Sequence, residues 1–310
     1  MDSRLIAIVG PTASGKTARA AHLAVKIGGE IVSADSRQVY CGMDIGTGKD
    51  IEELNGVPYH LIDIRPAGYR YSLFEYLEDS WKAIDDIRAR GRMPILCGGT
   101  GMYVECVLKG VKMPPVPVNQ ELRDTLADKS LNELSDILAK YRTLHNVSDT
   151  SDKPSAIRSI EIETYYRSNP QLGAMRHPKP ISGCTVIGVD IDRETRRKRI
   201  SERLRLRLRQ GMVDEVRSLL DSGVSAEALI RYGLEYKYVT LYLTGSLSLE
   251  EMTTSLETAI HQFAKRQMTW FRGMERRGIH INWLDWRMSP DEFTDAVLEL
   301  AGLKNGNSRG

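Results

Sequence analysis

Near the start of the chain an apolar run, "LIAIV", breaks into "GPTASGKT", Gly10 to Thr17, and then into the helix-forming "ARAAHLAVKIG". Every fixed position of G-x-x-x-x-G-K-[ST] is filled. The segment also sits where such a loop acts, after a strand and before a helix. Its glycines let successive backbone N–H groups turn inward around a phosphate, and the helix N-terminus adds positive potential. Lys16 contributes a mobile cation and Thr17 a hydroxyl suited to Mg2+. Strand, phosphate loop and helix in that order require a parallel α/β sheet whose ligands lie at the carboxyl ends of its strands.

The rest of the first third fits such a sheet. "EIVSAD" reads as a second strand and "PYHLIDI" as a third. "SLFEYLEDSWKAIDDIRARG" reads as an amphipathic helix closed by Gly91, and "MPILCGGTG" as a buried strand entering a glycine turn. At "KMPPVPVNQ", with three prolines in four residues, the composition changes. Polar helical stretches follow ("ELRDTLADKSLNELSDILAKYRTLHN", "KPSAIRSIEIETYYRS"), then a Pro/Gly-rich return, "NPQLGAMRHPKPISG". "CTVIGVDID" is a strand rejoining the sheet, the remainder to Trp286 is mostly helical, and "KNGNSRG" is a frayed tail. The expected architecture is α/β: a P-loop NTPase-like parallel sheet flanked by helices, with a small helical insertion. Its parts are 1–113 (first part of the core), 114–183 (insertion) and 184–310 (core completion and C-terminal helices).

Several classes fall away. The four cysteines, Cys41, Cys97, Cys106 and Cys184, form no C-x-x-C pair and have no histidine cluster nearby, so a disulfide framework or zinc site is not expected and a reducing cytoplasm is. No apolar stretch reaches the roughly 18 residues of a membrane span. The net charge of +2 is mild, but it is unevenly placed: from Asp192 to Gln210 nine Lys or Arg face three Asp or Glu.

The phosphate loop recognises a pyrophosphate and not a base, so ATP is one candidate among several. No N-K-x-D motif of a GTPase is present. "PILCGGTG" ends in glycines and Thr100 where an ATPase usually carries an acid. Asp35, just past the second strand in "IVSADSRQVY", would face the same crevice. There it could accept a nucleophile's proton, or serve as an N-cap or turn residue.

Taken together, "GPTASGKT", "SADSRQVY", "GMDIGTGKD", "PYHLIDI", Tyr71-Ser72, "GGTGMY", "VIGVDIDRE", "GMVDEV", "AKRQMTWFR" and "WLDW" resemble the tRNA dimethylallyltransferases, also called tRNA isopentenyltransferases, along nearly the whole chain. The resemblance implies transfer of a dimethylallyl group from dimethylallyl diphosphate to N6 of adenosine at tRNA position 37, beside the anticodon. Diphosphate leaves and Mg2+ assists. Gly10, Pro11, Thr12, Ala13, Ser14, Gly15, Lys16 and Thr17 would hold the diphosphate, with Thr17 on the metal. Asp35, Thr100 and Arg203 would be catalytic, Arg203 being placed by counting back from Gly211 in "RQGMVDEV". Asp35, Ser36, Arg37, Gln38 and Thr100 would contact the tRNA. A base inside an ordered loop must be extruded to be alkylated, and Gln38 could read an adenine edge. The expected partners are the tRNA anticodon stem-loop and dimethylallyl diphosphate, acting on a monomeric cytoplasmic enzyme.

Two segments depart from the family pattern. "HNVSDTSDKPSAIRSIEIETYY" keeps Arg158 and Glu161 of a longer motif; Arg158 and the earlier Arg123 are candidate tRNA contacts there, or solvated surface arginines. "GTGKD" stands where "GTAKP" is commoner. Towards the C-terminus, Lys265, Arg266 and Arg272 lie among Phe263, Trp270 and Phe271, a combination that suits single-stranded loop RNA. The helical spacing of Phe263, Gln267, Trp270 and Met274 places Trp270 in the core.

"RISERLRLRLRQG", Arg199 to Gly211, alternates like a strand but has helical flanks. At about 100° per residue it resolves into an apolar stripe (Ile200, Leu204, Leu208, Met212), an arginine stripe (Arg196, Arg199, Arg203, Arg207) and an outward pair, Arg205 and Arg209. Two rival readings remain: a prenyltransferase acting on free adenylate, and a small-molecule P-loop kinase or nucleotide-binding module.

Overall fold

The computed structural model describes residues 4–141, 150, 152–174 and 181–303. Six parallel strands form one sheet: β1 (Leu5–Val9), β2 (Glu30–Ser33), β3 (Tyr59–His60), β4 (Pro94–Gly98), β5 (Cys184–Asp190) and β6 (Asn282–Asp285). Their order is β3-β2-β4-β1-β5-β6, the P-loop NTPase-like arrangement. β1 lies between β4 and β5, in register Ile6 with Ile95 and Ile6 with Thr185. All five residues of β1 are buried. Ile6 and Ile8 point into a core shared with α1 (Lys16–Ile27) and α13 (Pro290–Leu300), through Leu23, Phe293 and Val297. Leu5, Ala7 and Val9 point to the opposite face by strand alternation. Covered on both faces, the strand is apolar throughout, as parallel sheets require.

The sequence hides β6. "NWLD" is four half-buried residues beside β5, after the 28-residue helix α12 (Leu249–Arg276). It lies in the part of the chain expected to be mostly helical, because a short edge strand with one apolar face carries almost no period. The arginine-rich repeat is helical, α8 (Arg193–Arg209), capped by the Asp192 carboxylate on the Thr195 N–H. The Pro/Gly-rich return begins with a short helix, Pro170–Ala174. Its remainder, 175–180, and the tail, 304–310, lie outside the described residues.

The chain divides into two compact units, 1–109 with 180–310, and 110–179. The smaller unit packs Gln120–Leu126, Leu131–Ala139 and Lys153–Ser168 around Leu126, Leu134, Leu138, Ala156 and Ile160. Glu161 is its polar anchor, with a side chain only 1% exposed. Burial alone would raise its pKa. Bonds from Arg123 (2.9 Å at both nitrogens), the Asn119 N–H (2.7 Å) and Arg158 outweigh that and hold it at about 2. Arg158 also donates to the Val116 carbonyl at 2.9 Å. Both arginines proposed from sequence as tRNA contacts are thus ion-paired within this unit.

Glu30, at the start of β2, is a second buried carboxylate. Its bond from Arg90 outweighs burial and, with His60 (2.8 Å) adding to it, holds it at about 2; Arg92 bonds the same carboxylate at 3.0 Å. A carboxylate depressed in the folded state stabilises above its ordinary pKa, near 4.5, and that stabilisation is lost as pH falls towards 2. Between pH 5 and 3 the protein is therefore expected to lose stability, about 1–2 kcal/mol of it through Glu30. Denaturant midpoints across that window check this. Glu30→Gln should flatten the dependence, and an unchanged slope would remove Glu30 from it.

Candidate active site at the carboxyl edge of the sheet

β1 ends at Val9 and the phosphate loop turns over the sheet edge. A Cβ on Gly10 would crowd Ser14 Oγ (2.8 Å), so the loop's first bend needs glycine. Ala13 and Gly15 both have positive φ (63° and 77°), which turns consecutive N–H groups to one side before α1 begins at Lys16. Beyond the loop opens a cavity of about 730 Å³, large enough for a substrate diphosphate and an inserted base. Thr12, Lys16 and Thr17 line one wall, Asp35 to Gln38 a second, and Gly98 to Met102 a third.

The second glycine turn, "GGTG", is shaped by what presses on it. A Cβ on Gly98 would enter the Ala34 backbone, and one on Gly101 the Trp270 indole. Thr100, between them, accepts a hydrogen bond from the Ser36 N–H at 3.1 Å, while its own N–H donates to the Ala34 carbonyl at 3.1 Å. The hydroxyl expected to meet substrate therefore also holds the Asp35–Ser36 turn. Asp35 Oδ1 accepts the Arg37 N–H (2.9 Å), a local Asx turn. Its Oδ2 takes no hydrogen bond among the described residues. Gln38 has both ends of its amide engaged, accepting from Ser33 Oγ (3.0 Å) and donating to the Gly48 carbonyl (3.0 Å). One N–H and one oxygen lone pair of the amide are left for a base to meet.

From α8, Arg203 reaches across to donate to the Thr12 hydroxyl, closing the phosphate loop from above. Burial, then the neighbouring Arg207 charge, lowers its pKa to about 10, so it stays a cation at neutral pH. Burial also lowers Lys16, with Asp35 acting in the opposite direction. Arg199, Arg203 and Arg207 all line the cavity, whereas Arg205 and Arg209 are exposed. Arg266 lines it too, its guanidinium 5.9 Å from the Phe263 ring. Lys265 and Arg272 lie on the exposed side of α12.

One expectation is corrected. Trp270 is not core: it is half-buried and walls the cavity beside Phe263, which is 39% exposed. Met274, one turn on, is the buried member of that stripe. Helical spacing identifies a face but not whether protein or a cleft covers it.

The sequence reading also passed over three parts of the site. Gln267, 7% exposed, accepts the Thr12 N–H (2.8 Å) and donates to the Gly99 carbonyl (2.9 Å), tying both glycine loops together. Glu215 of "GMVDEV" accepts the N–H groups of Asp44, Ile45 and Gly46 (2.8, 2.7 and 3.0 Å) and the Tyr236 hydroxyl (2.6 Å), fixing the loop that carries "GTGKD". "YGLEY", Tyr232 to Tyr236, lines the far wall, with the Glu235 carboxyl pushed up by burial. The aromatic flanks of that glycine were the visible signal.

A parallel sheet, a phosphate loop carrying Lys16, Arg203 reaching that loop from α8 and an acid across the cavity define a P-loop protein. The family model described as IPP transferase matches residues 38–274, and that of isopentenyl transferase residues 3–66; the chain belongs to the IPP transferase family. Among curated relatives, tRNA dimethylallyltransferase 1 of Porphyromonas gingivalis is 57% identical over 96% of this chain and 98% of its own. The tRNA dimethylallyltransferase 2 of Bacteroides fragilis is likewise 57% identical, over 96% and 98%. The solved full-length tRNA isopentenylpyrophosphate transferase of Bacillus halodurans superposes with a TM-score of 0.72 at 31% identity, covering 97% of each chain. A eukaryotic dimethylallyltransferase acting on tRNA shares the fold (TM-score 0.75, 24% identity, 92% of this chain and 74% of that one).

Proposed function

We propose that the chain transfers a dimethylallyl group from dimethylallyl diphosphate to N6 of adenosine at tRNA position 37, releasing diphosphate. The observation that carries this reading is the cavity itself. Lys16, Thr17 and Arg203 gather where a diphosphate would sit, and Asp35 and Thr100 stand across from them.

In the reaction the N6 nitrogen attacks C1 of the dimethylallyl group, an N–C bond forms, and the C1–O bond breaks with its electron pair leaving on diphosphate. Lys16 and the Arg203 fork face the oxygens on which that charge grows; such fixed cations in a water-poor site stabilise the departing anion. Asp35, whose Oδ2 accepts no hydrogen bond among the described residues, would take the N6 proton. Thr100 keeps that carboxylate in place through the Ser36 N–H. The aromatic wall of Phe263 and Trp270 offers an extruded adenine a surface to stack on.

Mg2+ fits the donor chemistry: the Thr17 hydroxyl is a hard oxygen, and the substrate's own phosphate oxygens would complete its shell. Among the described residues no cluster of three His, Cys, Asp or Glu could hold a metal. When bound it would add Lewis-acid stabilisation of the leaving group. The proposed setting is a monomer in the cytoplasm; no described helix is long and apolar enough to cross a membrane.

Label transfer from dimethylallyl diphosphate tests the reading. Unmodified tRNA carrying A37 is expected to acquire label, while AMP is not and ATP is not consumed. Label entering AMP would assign the chain to free-adenylate chemistry, and ATP turnover on a metabolite would make it a kinase.

A further inference from the structure

Arg207 lies one helical turn beyond Arg203 and shares its cleft-facing side. It is only 6% exposed although it lines the cavity. Burying a guanidinium is costly unless its charge is matched. Its hydrogen bonding is thin: Arg207 donates one bond of 3.2 Å to Asp50 Oδ2, on a carboxylate 45% exposed, while Glu53 and Glu235 act on it through space. A guanidinium carries five N–H donors, and this is the bond Arg207 makes to protein among the described residues.

The loop is built to receive it. A Cβ on Gly48 would overlap the Arg207 guanidinium, so the absent side chain is what lets the cation lie there. Asp50 sits at φ 41°, in the left-handed region that aspartate and asparagine adopt more readily than other non-glycine residues. These are the two positions at which "GTGKD" departs from the commoner "GTAKP". Arg207 also shares its electrostatic neighbours with the candidate diphosphate site: Glu53 is acted on by Arg203, Lys16 and Arg207, and Glu235 by Arg207 and Arg203. Two cations held close in a cleft repel each other, and a polyanion between them relieves both.

We propose that Arg207 is a third anion-binding cation of the cleft, beside Lys16 and Arg203, held over Gly48 by Asp50 until a phosphate oxygen of the substrate takes Asp50's place. The ligand chemistry is a phosphate oxygen, supplied either by the diphosphate or by the RNA backbone. The choice between those two sources rests on the proposed function; the anion site does not.

Calorimetry with inorganic diphosphate, together with KM values for tRNA, tests it. Arg207→Met keeps the length of the stem and removes the charge, and it is expected to weaken diphosphate binding about tenfold or more. Arg209→Met, on the exposed side, should leave binding unchanged. Asp50→Asn should tighten diphosphate binding by removing the competing carboxylate, since asparagine tolerates the left-handed backbone. In the Arg207→Met background that gain should vanish. Unchanged diphosphate affinity with a tenfold higher KM for tRNA would assign the oxygen to the RNA backbone and support the proposal. Were neither quantity to move in a folded Arg207→Met protein, the proposal would be overturned; Arg207→Gln, which also removes the charge, serves if the methionine variant does not fold, with the same two readouts. Diphosphate binding needs no transfer, so an Arg207-dependent affinity without label in tRNA would sink the proposed function and not this site.

Discussion

Alanine at position 35 is expected to slow dimethylallyl transfer by about 10²–10⁴-fold while tRNA binding stays within a few-fold. The carboxylate stands on the turn after β2, across the cavity from the phosphate loop. One oxygen is committed to the Arg37 N–H and the other is free among the described residues. Aspartate there has two separable tasks, shaping the turn and accepting a proton, and alanine removes both. Asparagine separates them, because its side-chain oxygen can still accept the Arg37 N–H but the amide cannot serve as a base. Single-turnover rates with saturating tRNA are the measurement. Asp35→Asn should be nearly as slow as Asp35→Ala; a rate close to wild type would reduce Asp35 to a turn residue.

Arg203→Lys is expected to lower kcat/KM for dimethylallyl diphosphate by about 10²-fold, with the charge retained. The loss is geometric. The guanidinium fork can hold the Thr12 hydroxyl with one nitrogen and oxygens of a diphosphate with others, and an ammonium on a flexible stem presents a point charge with no such division. Arg209→Lys, exposed two positions along from Arg207, is the matched control and should leave the rate unchanged. Similar losses in both would mean that the arginine stripe acts through bulk charge and not through one placed fork.

How far the sequence carried depended on the range of the signal. The phosphate loop, the buried strands and α2 (Leu73–Ala89), opened by a capping box at Ser72 and followed by Gly91, are local patterns, and they are where the residues placed them. The arginine repeat resolved correctly into buried and exposed sides because its helical flanks overrode a period of two. What stayed hidden depended on partners far away in the chain. Gln267 looks like any helical glutamine until Thr12 and Gly99 are brought to it. Trp270 packs on Gly101 and lines the cleft, and Gly101 is far from it in the chain. Arg207 could be assigned to a face but not given a partner, since Gly48 and Asp50 meet it only in the folded chain. Arg123 and Arg158 read as surface cations because nothing local shows that Glu161 is buried between them.

The hydrogen bond from Thr12 to Gln267 joins positions 255 residues apart. A chain leaving the ribosome therefore exposes its phosphate loop long before the helix that ties down that loop has been made. Contacts of such range close late and slow folding. Until α12 docks, the loop lacks its Gln267 tie and the "GGTG" turn its Trp270 wall. Anion binding is thus coupled to completion of the fold, and a fragment ending before Leu249 should keep the sheet's local pairings without the competence to bind diphosphate tightly.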